Sequence, residues 1–250
     1  MTIKDARKEQ RESIKNRSLK ERFSYFWEYF GMKTIAAVLA VVVVIAFIFT
    51  MATKKEYAFT GVFFGAQAQP HAEEYVKEYA NSTGIDLSKY KVTVNCNPDI
   101  RMDQQVTQEI HDYMQTFASM VSTNSVDCYA GNEELFLYYA YLGYAADLRT
   151  VLTEQELAAL APYLRYIDNA LIEKQEREDG GLTDAFFQRG DPTRPEQMED
   201  PIPVGISLEV AEASFLAHYR FCEDGVIGIC ATSSFPKNAQ AFLRYCMDII

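Results

Sequence analysis

Five cysteines, three histidines and thirty-five carboxylates are the groups in this 250-residue chain from which chemistry could start. Their spacing narrows the choice. His71, His111 and His218 are scattered, without the short separations that bring two imidazoles to one metal ion. The nearest approach to a ligand cluster, His71-Ala-Glu73-Glu74, reads as the solvated start of a helix, so no metal is expected there. Nucleophilic or acid–base catalysis needs a base within hydrogen-bond reach of its partner. No motif for such a pair occurs, nor does a Gly-rich phosphate loop, an internal repeat or a low-complexity tract. The expectation is a protein that is not an enzyme and carries no cofactor.

The cysteines, Cys96, Cys128, Cys222, Cys230 and Cys246, include no C-x-x-C pair. Outside the cell they could pair, and the odd count leaves at least one thiol over unless chains cross-link. Cys222 and Cys230 flank the turn-and-strand stretch "EDGVIGI" and form the most plausible bridge. Cys246 falls on the apolar face of a helix, where a small buried hydrophobe is the default. An anaerobic source would leave all five reduced.

The remaining candidates are polar side chains at the ends of expected strands. They are Gln67 in "GAQAQP", Asn97 in "NCNPD", Asn132 and Glu133 in "AGNEE", and Ser233 and Ser234 in "ATSS". Each has a purely structural competitor: Asn132 and Ser234 can cap helices, and Asn97-Pro98 can make a turn.

The elements that must position these residues alternate along the chain. "YAFTGVFFG" (57–65), "YKVTVNC" (90–96), "SVDCYAG" (125–131), "PIPVGISL" (201–208) and "GVIGICATSS" (225–234) read as strands. Between them, apolar residues recur at helical spacing, as at Tyr75, Val76 and Tyr79, or at Val106, Ile110, Tyr113, Phe117 and Val121. Asn132 and Gly143 bracket one helix, Thr153 and Glu156 form a capping box for another, and "VAEASFLAHYRF" reads as helical. Pro236 opens a last helix whose Ala239, Phe242, Leu243 and Cys246 face inward. Residues 174–200 are polar, with Phe186 and Phe187 as the sole apolar anchor, and are expected to form a loop or flap. The predicted fold class is α/β: a mostly parallel sheet with helices on both faces, whose ligands would sit at the carboxyl ends of the strands.

Ahead of this domain, residues 34–53 are twenty uncharged residues between Lys33 and Lys54. At a rise of about 1.5 Å per residue they cover the roughly 30 Å of a bilayer core. Residues 1–33 carry nine Lys/Arg against five Asp/Glu, whereas the chain from residue 54 carries fifteen against thirty. By the positive-inside rule the basic tail stays in the cytoplasm and residues 54–250 lie outside. A cleaved signal peptide would have a shorter basic region and a shorter apolar run, so an uncleaved anchor is expected, single-pass in the cell membrane. In "SLKERFSYFWEYFGMK" (18–33), Leu19, Phe23, Phe26, Trp27 and Phe30 share one helical face, which predicts a juxtamembrane interfacial helix. Residues 18–53 should therefore contact membrane lipid. The acidity of the outer part argues against nucleic acid as a partner.

Three stretches of the outer part resemble extracellular solute-binding proteins of ABC importers, of the type II periplasmic-binding class. "SVDCYAGNEELFLYYAYLGYAADLRTVLTEQELAAL" (125–160) is similar to the family's strand, polar loop and paired helices. "DPIPVGISL" (200–208) is similar to the strand leading to the second lobe, and "GVIGICATSSFPKNAQAFLRYCMDII" (225–250) to the return strand and closing helix. The resemblance implies a single periplasmic-binding-protein-like lobe, because only about seventeen residues stand where a second lobe would be. It implies a small-molecule solute and a membrane permease or envelope complex as partners. The alternative is a lobe that binds no solute and serves as an assembly subunit, with Tyr138, Tyr139, Tyr141 and Tyr144 as a contact surface.

Overall fold

Helix α1 (Leu19–Thr53) occupies the first of two compact units, which divide between Lys54 and Lys55 in the computed structural model. The structure describes residues 18–53, 55–103, 107–178, 181–221 and 225–247. Within α1, Gly31–Met51 is long and apolar enough to cross a membrane. The aromatic stretch expected as a separate interfacial helix is the opening of this same helix, which runs unbroken through Gly31. Phe23 stacks on Trp27 at 6.1 Å, and Gly31 leaves room for the indole above it. The side chains of Phe26 and Phe30 lie outside those described.

The second unit is built on a six-stranded sheet in the order β3-β1-β4-β8-β6-β5. Its strands are β1 (Glu56–Phe64), β3 (Tyr90–Asn97), β4 (Cys128–Asn132), β5 (Leu164–Asp168), β6 (Pro201–Ser207) and β8 (Gly225–Ile229). β2 (Ala66–Ala68) and β7 (Tyr219–Phe221) form a separate antiparallel ribbon. The helices are α2 (Ala72–Ser82), α3 (Gln108–Ser122), α4 (Glu133–Tyr141), α5 (Glu154–Leu160), α6 (Asn169–Arg177), α7 (Leu182–Phe187), α8 (Ala213–His218) and α9 (Pro236–Met247).

The α/β class holds, but the sheet is mixed and not mostly parallel. β1 is parallel to both β3 and β4, whereas β4–β8, β8–β6 and β6–β5 are antiparallel. The alternation of strand-like and helix-like pattern carries no information about strand direction, and β5 ("LRYID") and the short β2 and β7 were not foreseen. β7 lies in the "HYRF" stretch that reads as helical. Pairing with Ala66–Ala68 turns it into strand, a tertiary context that overrides local pattern.

Helices do cover both faces, and the period-two alternation of the strands sorts residues between them. Phe59, Phe63, Cys128, Ala130, Ile227 and Ile229 enter one core with Tyr75 and Tyr79 of α2, Phe215 of α8 and Phe242 of α9. Val62, Phe64, Tyr129, Val204 and Val226 enter the other with Phe117 of α3, Phe136 and Tyr139 of α4 and Phe186 of α7. Each fully buried aromatic contributes roughly 1.5–3 kcal/mol by leaving water. In the second core the approach of α4 depends on two glycines: a Cβ at Gly205 or Gly228 would stand 2.6 to 2.7 Å from the Phe136 ring.

The expected flap at 174–200 folds back onto the domain. Phe186 is fully buried and Phe187 is 70% exposed, so only one of the pair anchors. The Arg189 guanidinium lies 3.8 Å over the Phe186 ring. The backbone N–H of Tyr166 donates to the Pro192 carbonyl, covering part of the outer edge of β5. The buried Asp168 carboxylate accepts from the amides of Ala170, Glu199 and Asp200, closing the base of the excursion.

The Thr153–Glu156 capping box is present, and Glu156 also receives Arg244 of α9, tying α5 to the last helix. The Arg244 hydrogen bonds, with those of Thr153, hold the Glu156 carboxyl down at about 2. A depressed carboxylate stabilises the fold above its unfolded value of about 4.3 and loses that contribution as pH falls through the folded value. Glu156→Gln should therefore cost about 1–2 kcal/mol at neutral pH, allowing for screening of this partly exposed pair. The gap from the parent protein should close as pH falls towards 2, read from urea unfolding followed by near-ultraviolet circular dichroism. Gly228→Ala should cost about 2–3 kcal/mol in the same assay, because neither the Val204 carbonyl nor Phe136 can withdraw.

Candidate functional site

The directions of the strands decide which predicted site residues can meet. The carboxyl ends of β1, β3, β4 and β6 and the amino ends of β5 and β8 share one end of the sheet. β8 runs the other way, so "ATSS" emerges at the opposite end. Ser233 and Ser234 are thus not near the other four candidates.

At that opposite end both serines have structural work. Ser233 Oγ donates to Asp127 Oδ1 at 2.5 Å, and Ser234 Oγ donates to the Asn124 carbonyl at 2.8 Å. Asp127, buried at 3% exposure, also accepts from the amides of Thr60 and Phe235. This carboxylate fastens β1, β4 and the turn into α9.

The remaining four go to three places. Gln67 is exposed on β2, where it pairs with Arg220 of β7. Asn97, half-buried, lines a groove of about 700 Å³ between β3 and α3, and its carbonyl accepts from the Gly65 amide. Only Asn132 and Glu133 stand together. They line a cleft of about 610 Å³ at the carboxyl ends of β4 and β6, with Ser207, Glu209 and Arg165.

Asn132 organises this cleft. Its Oδ1 accepts from the Leu135 amide, capping α4, and its Nδ2 donates to Asp99 Oδ1 at 2.9 Å and to the Ile100 carbonyl at 2.8 Å. Asp99 in turn sits against Gly65, which has φ of 69° and no room for a Cβ. Glu133 pairs with the partly buried Arg165 of β5. On the rim, Asp103, Glu134, Asp191 and Glu209 join Arg101 and Thr193. The Thr193 hydroxyl and amide hold Asp191 below the usual carboxylate range. Glu134 lies 3.7 Å from Arg189. Five lining carboxylates stand against two lining arginines, with Arg189 and Arg194 meeting Glu134 and Asp191 from just outside, so the cleft keeps a small acidic excess. Glu133 and Glu134 also favour the positive amino end of α4.

Sequence reading missed Ser207, Glu209, Asp191 and both arginines. Arg165 was hidden because β5 went unread, and its place beside "DPIPVG" comes from the β5–β6 pairing. Of the four tyrosines expected as a contact surface, Tyr139 and Tyr141 are buried, with Tyr141 Oη accepting from the Asp168 amide, whereas Tyr138 and Tyr144 are half-buried. Among the described residues no group of three or more His, Cys, Asp or Glu stands close enough to hold a metal. His71 begins α2 in an exposed contact with Glu74, and His218 Nδ1 meets the Ser214 carbonyl. Cys96, Cys128 and Cys246 carry free thiols, and burial pushes each of them up. Cys222 lies outside the described residues, and with it the expected bridge to Cys230, whose sulfur lies 3.5 Å from Thr232 Oγ1.

Compared with protein families, with curated proteins and with solved structures, the chain matches none.

Asn132→Ala should strip the α4 cap and release the 98–103 loop together. The expected cost is about 1–2 kcal/mol in urea unfolding, with hydrogen exchange accelerated at residues 99–101 and unchanged in α9.

Proposed function

We propose that this chain is a single-pass, membrane-anchored binding protein with its basic tail in the cytoplasm and its acidic α/β domain outside the cell membrane. Its role is binding, not catalysis, and it serves transport or sensing as a single lobe of the solute-binding kind found with ABC importers. The supporting observation is the cleft at the carboxyl ends of β4 and β6, where Asn132 and Glu133 meet Arg165, Asp103, Asp191 and Glu209. Its excess of carboxylates favours a small solute that carries positive charge and hydrogen-bond donors. The orientation rests on the charge difference across α1.

The second reading, an assembly subunit that captures no solute, is favoured by one observation. Between β6 and β8 the described chain holds only α8, β7 and a short 3₁₀ turn, so the cleft has one jaw. A partner protein would then supply the other.

Thermal unfolding of the detergent-solubilised chain against pools of polyamines, basic amino acids, sugars and acidic metabolites separates the readings. A cationic solute present at a hundredfold over its dissociation constant should stabilise the domain by about 2.7 kcal/mol. Asp103→Asn with Glu209→Gln should weaken that response, and acidic solutes should give none. A flat response to every pool, with cross-links from Glu209 to a permease or envelope subunit, replaces solute capture with assembly.

A further inference from the structure

The end of the outer domain opposite the cleft has a composition unlike the rest. From residue 55 onward the large exposed hydrophobic side chains among the described residues are Tyr57, Tyr90, Phe187, Leu216 and Phe235. Three of these five gather where β1 and β3 begin and where the loop enters α9. Tyr57 and Lys91 are neighbours in the β1–β3 register, with Lys91 Nζ 5.3 Å from the Tyr57 ring centre. The same region holds Lys55, Lys89 and Lys237, so four of the seven lysines from residue 54 onward lie here, in a stretch of chain that is otherwise strongly acidic. Lys55 Nζ donates to the Leu87 carbonyl and Lys89 meets Asp86 at 3.4 Å, which draws the turn before β3 into the patch. The acidic side chains that face this patch are Glu56, Asp86, Asp127 and Glu73. Asp127 lines the cavity but is engaged by Thr60, Ser233 and Phe235, and Glu73 shares a groove with Lys55 and Lys91 and pairs with Lys77. Asp147 and Asp200 lie towards the β5–β6 half.

Between the aromatic rings and the lysine opens a cavity of about 470 Å³, lined by Tyr57, Lys91, Thr93, Thr123, Ser125 and Phe235 among others. It combines a cation, a row of hydroxyls and an apolar rim. Lysines flanked by exposed aromatic rings are the composition that settles at the headgroup level of a bilayer. The chain itself limits the alternatives: two residues separate Thr53, the end of α1, from Glu56, the start of β1.

From charge complementarity and this short tether, we infer that the β1–β3 end of the outer domain docks on anionic phospholipid headgroups of the membrane that holds α1. Lys89 and Lys91 meet phosphates, and Tyr57, Tyr90 and Phe235 enter the interface. The inference rests on the anchor reading and adds to it a lipid-binding face outside α1. Each lysine near an anionic surface is worth about a fivefold change in binding.

The test uses the full chain in nanodiscs of phosphatidylcholine alone or of phosphatidylcholine with phosphatidylglycerol, read by amide hydrogen exchange. Co-elution with the discs reports the anchor, and exchange reports the docking. Anionic discs should slow exchange several-fold at 56–58, 86–92 and 234–237 and leave 98–103 and 207–210 unchanged. High salt should reverse the effect, and Lys89→Gln with Lys91→Gln should remove it while near-ultraviolet circular dichroism stays the same. Co-elution with equal exchange in both kinds of disc overturns the docking and keeps the anchor. Failure to co-elute overturns both. Protection that inorganic phosphate displaces at millimolar levels identifies a free-anion site and overturns the lipid assignment.

Discussion

The direction of β8 is the constraint on which the arrangement of this domain depends. β8 lies between β4 and β6 and runs against both, with Cys128 opposite Ile229 and Asn132 opposite Gly225. That single reversal sends the loop after β8 to the end where β1 and β4 begin, and there Ser233 reaches Asp127. It also aligns β6 with β4, so Ser207 and Glu209 arrive beside Asn132 and Glu133. β5, antiparallel to β6, then starts at the same end and delivers Arg165 to Glu133. The cleft is a product of strand direction before it is a product of side chains.

What was legible in the sequence was whatever is decided locally. A helix cap is a contact between residues three apart, so Asn132, the Thr153–Glu156 box and the Pro236 start all stand as the sequence predicts. Gly143, with φ of 80°, follows α4 as its spacing implies. The inward stripe of α9, from Ala239 to Cys246, follows from a period of 3.6. Of the α3 stripe, Phe117 and Val121 are buried, while Val106 lies outside the described residues.

What was not legible is decided between residues far apart. Antiparallel and parallel neighbours are built from the same alternating pattern, so the pattern of β8 could not announce its direction. Glu133 and Arg165 are 32 residues apart, and so are Asn132 and Ile100. Gly205 and Gly228 carry no sign in the sequence of why they are glycine. Their reason becomes visible when Phe136 of α4 is seen lying over both. The way the polar stretch at 174–200 is held was hidden for a related cause. Its hold on the domain comes from one buried ring, one buried carboxylate and the β5 edge, and composition averages over such points.

The two ends of the sheet therefore carry opposite chemistry, and β1 sets the distance between them. Nine strand residues at about 3.3 Å each place the Asn132 cleft roughly 30 Å from the start of the domain. At the starting end, lysines and aromatic rings are exposed, and Asp127, the carboxylate that would oppose them, is buried and fully engaged by Thr60, Ser233 and Phe235. At the far end the imbalance is reversed: arginines are committed to Glu133, Asp99, Glu134 and Asp191, and Asp103 and Glu209 add further carboxylates to the rim. Screening acts over about 8 Å at physiological salt, so each end presents its own field and neither cancels the other. A domain polarised in this way can meet an anionic surface at the end where its chain begins while offering a cation a different address at the other.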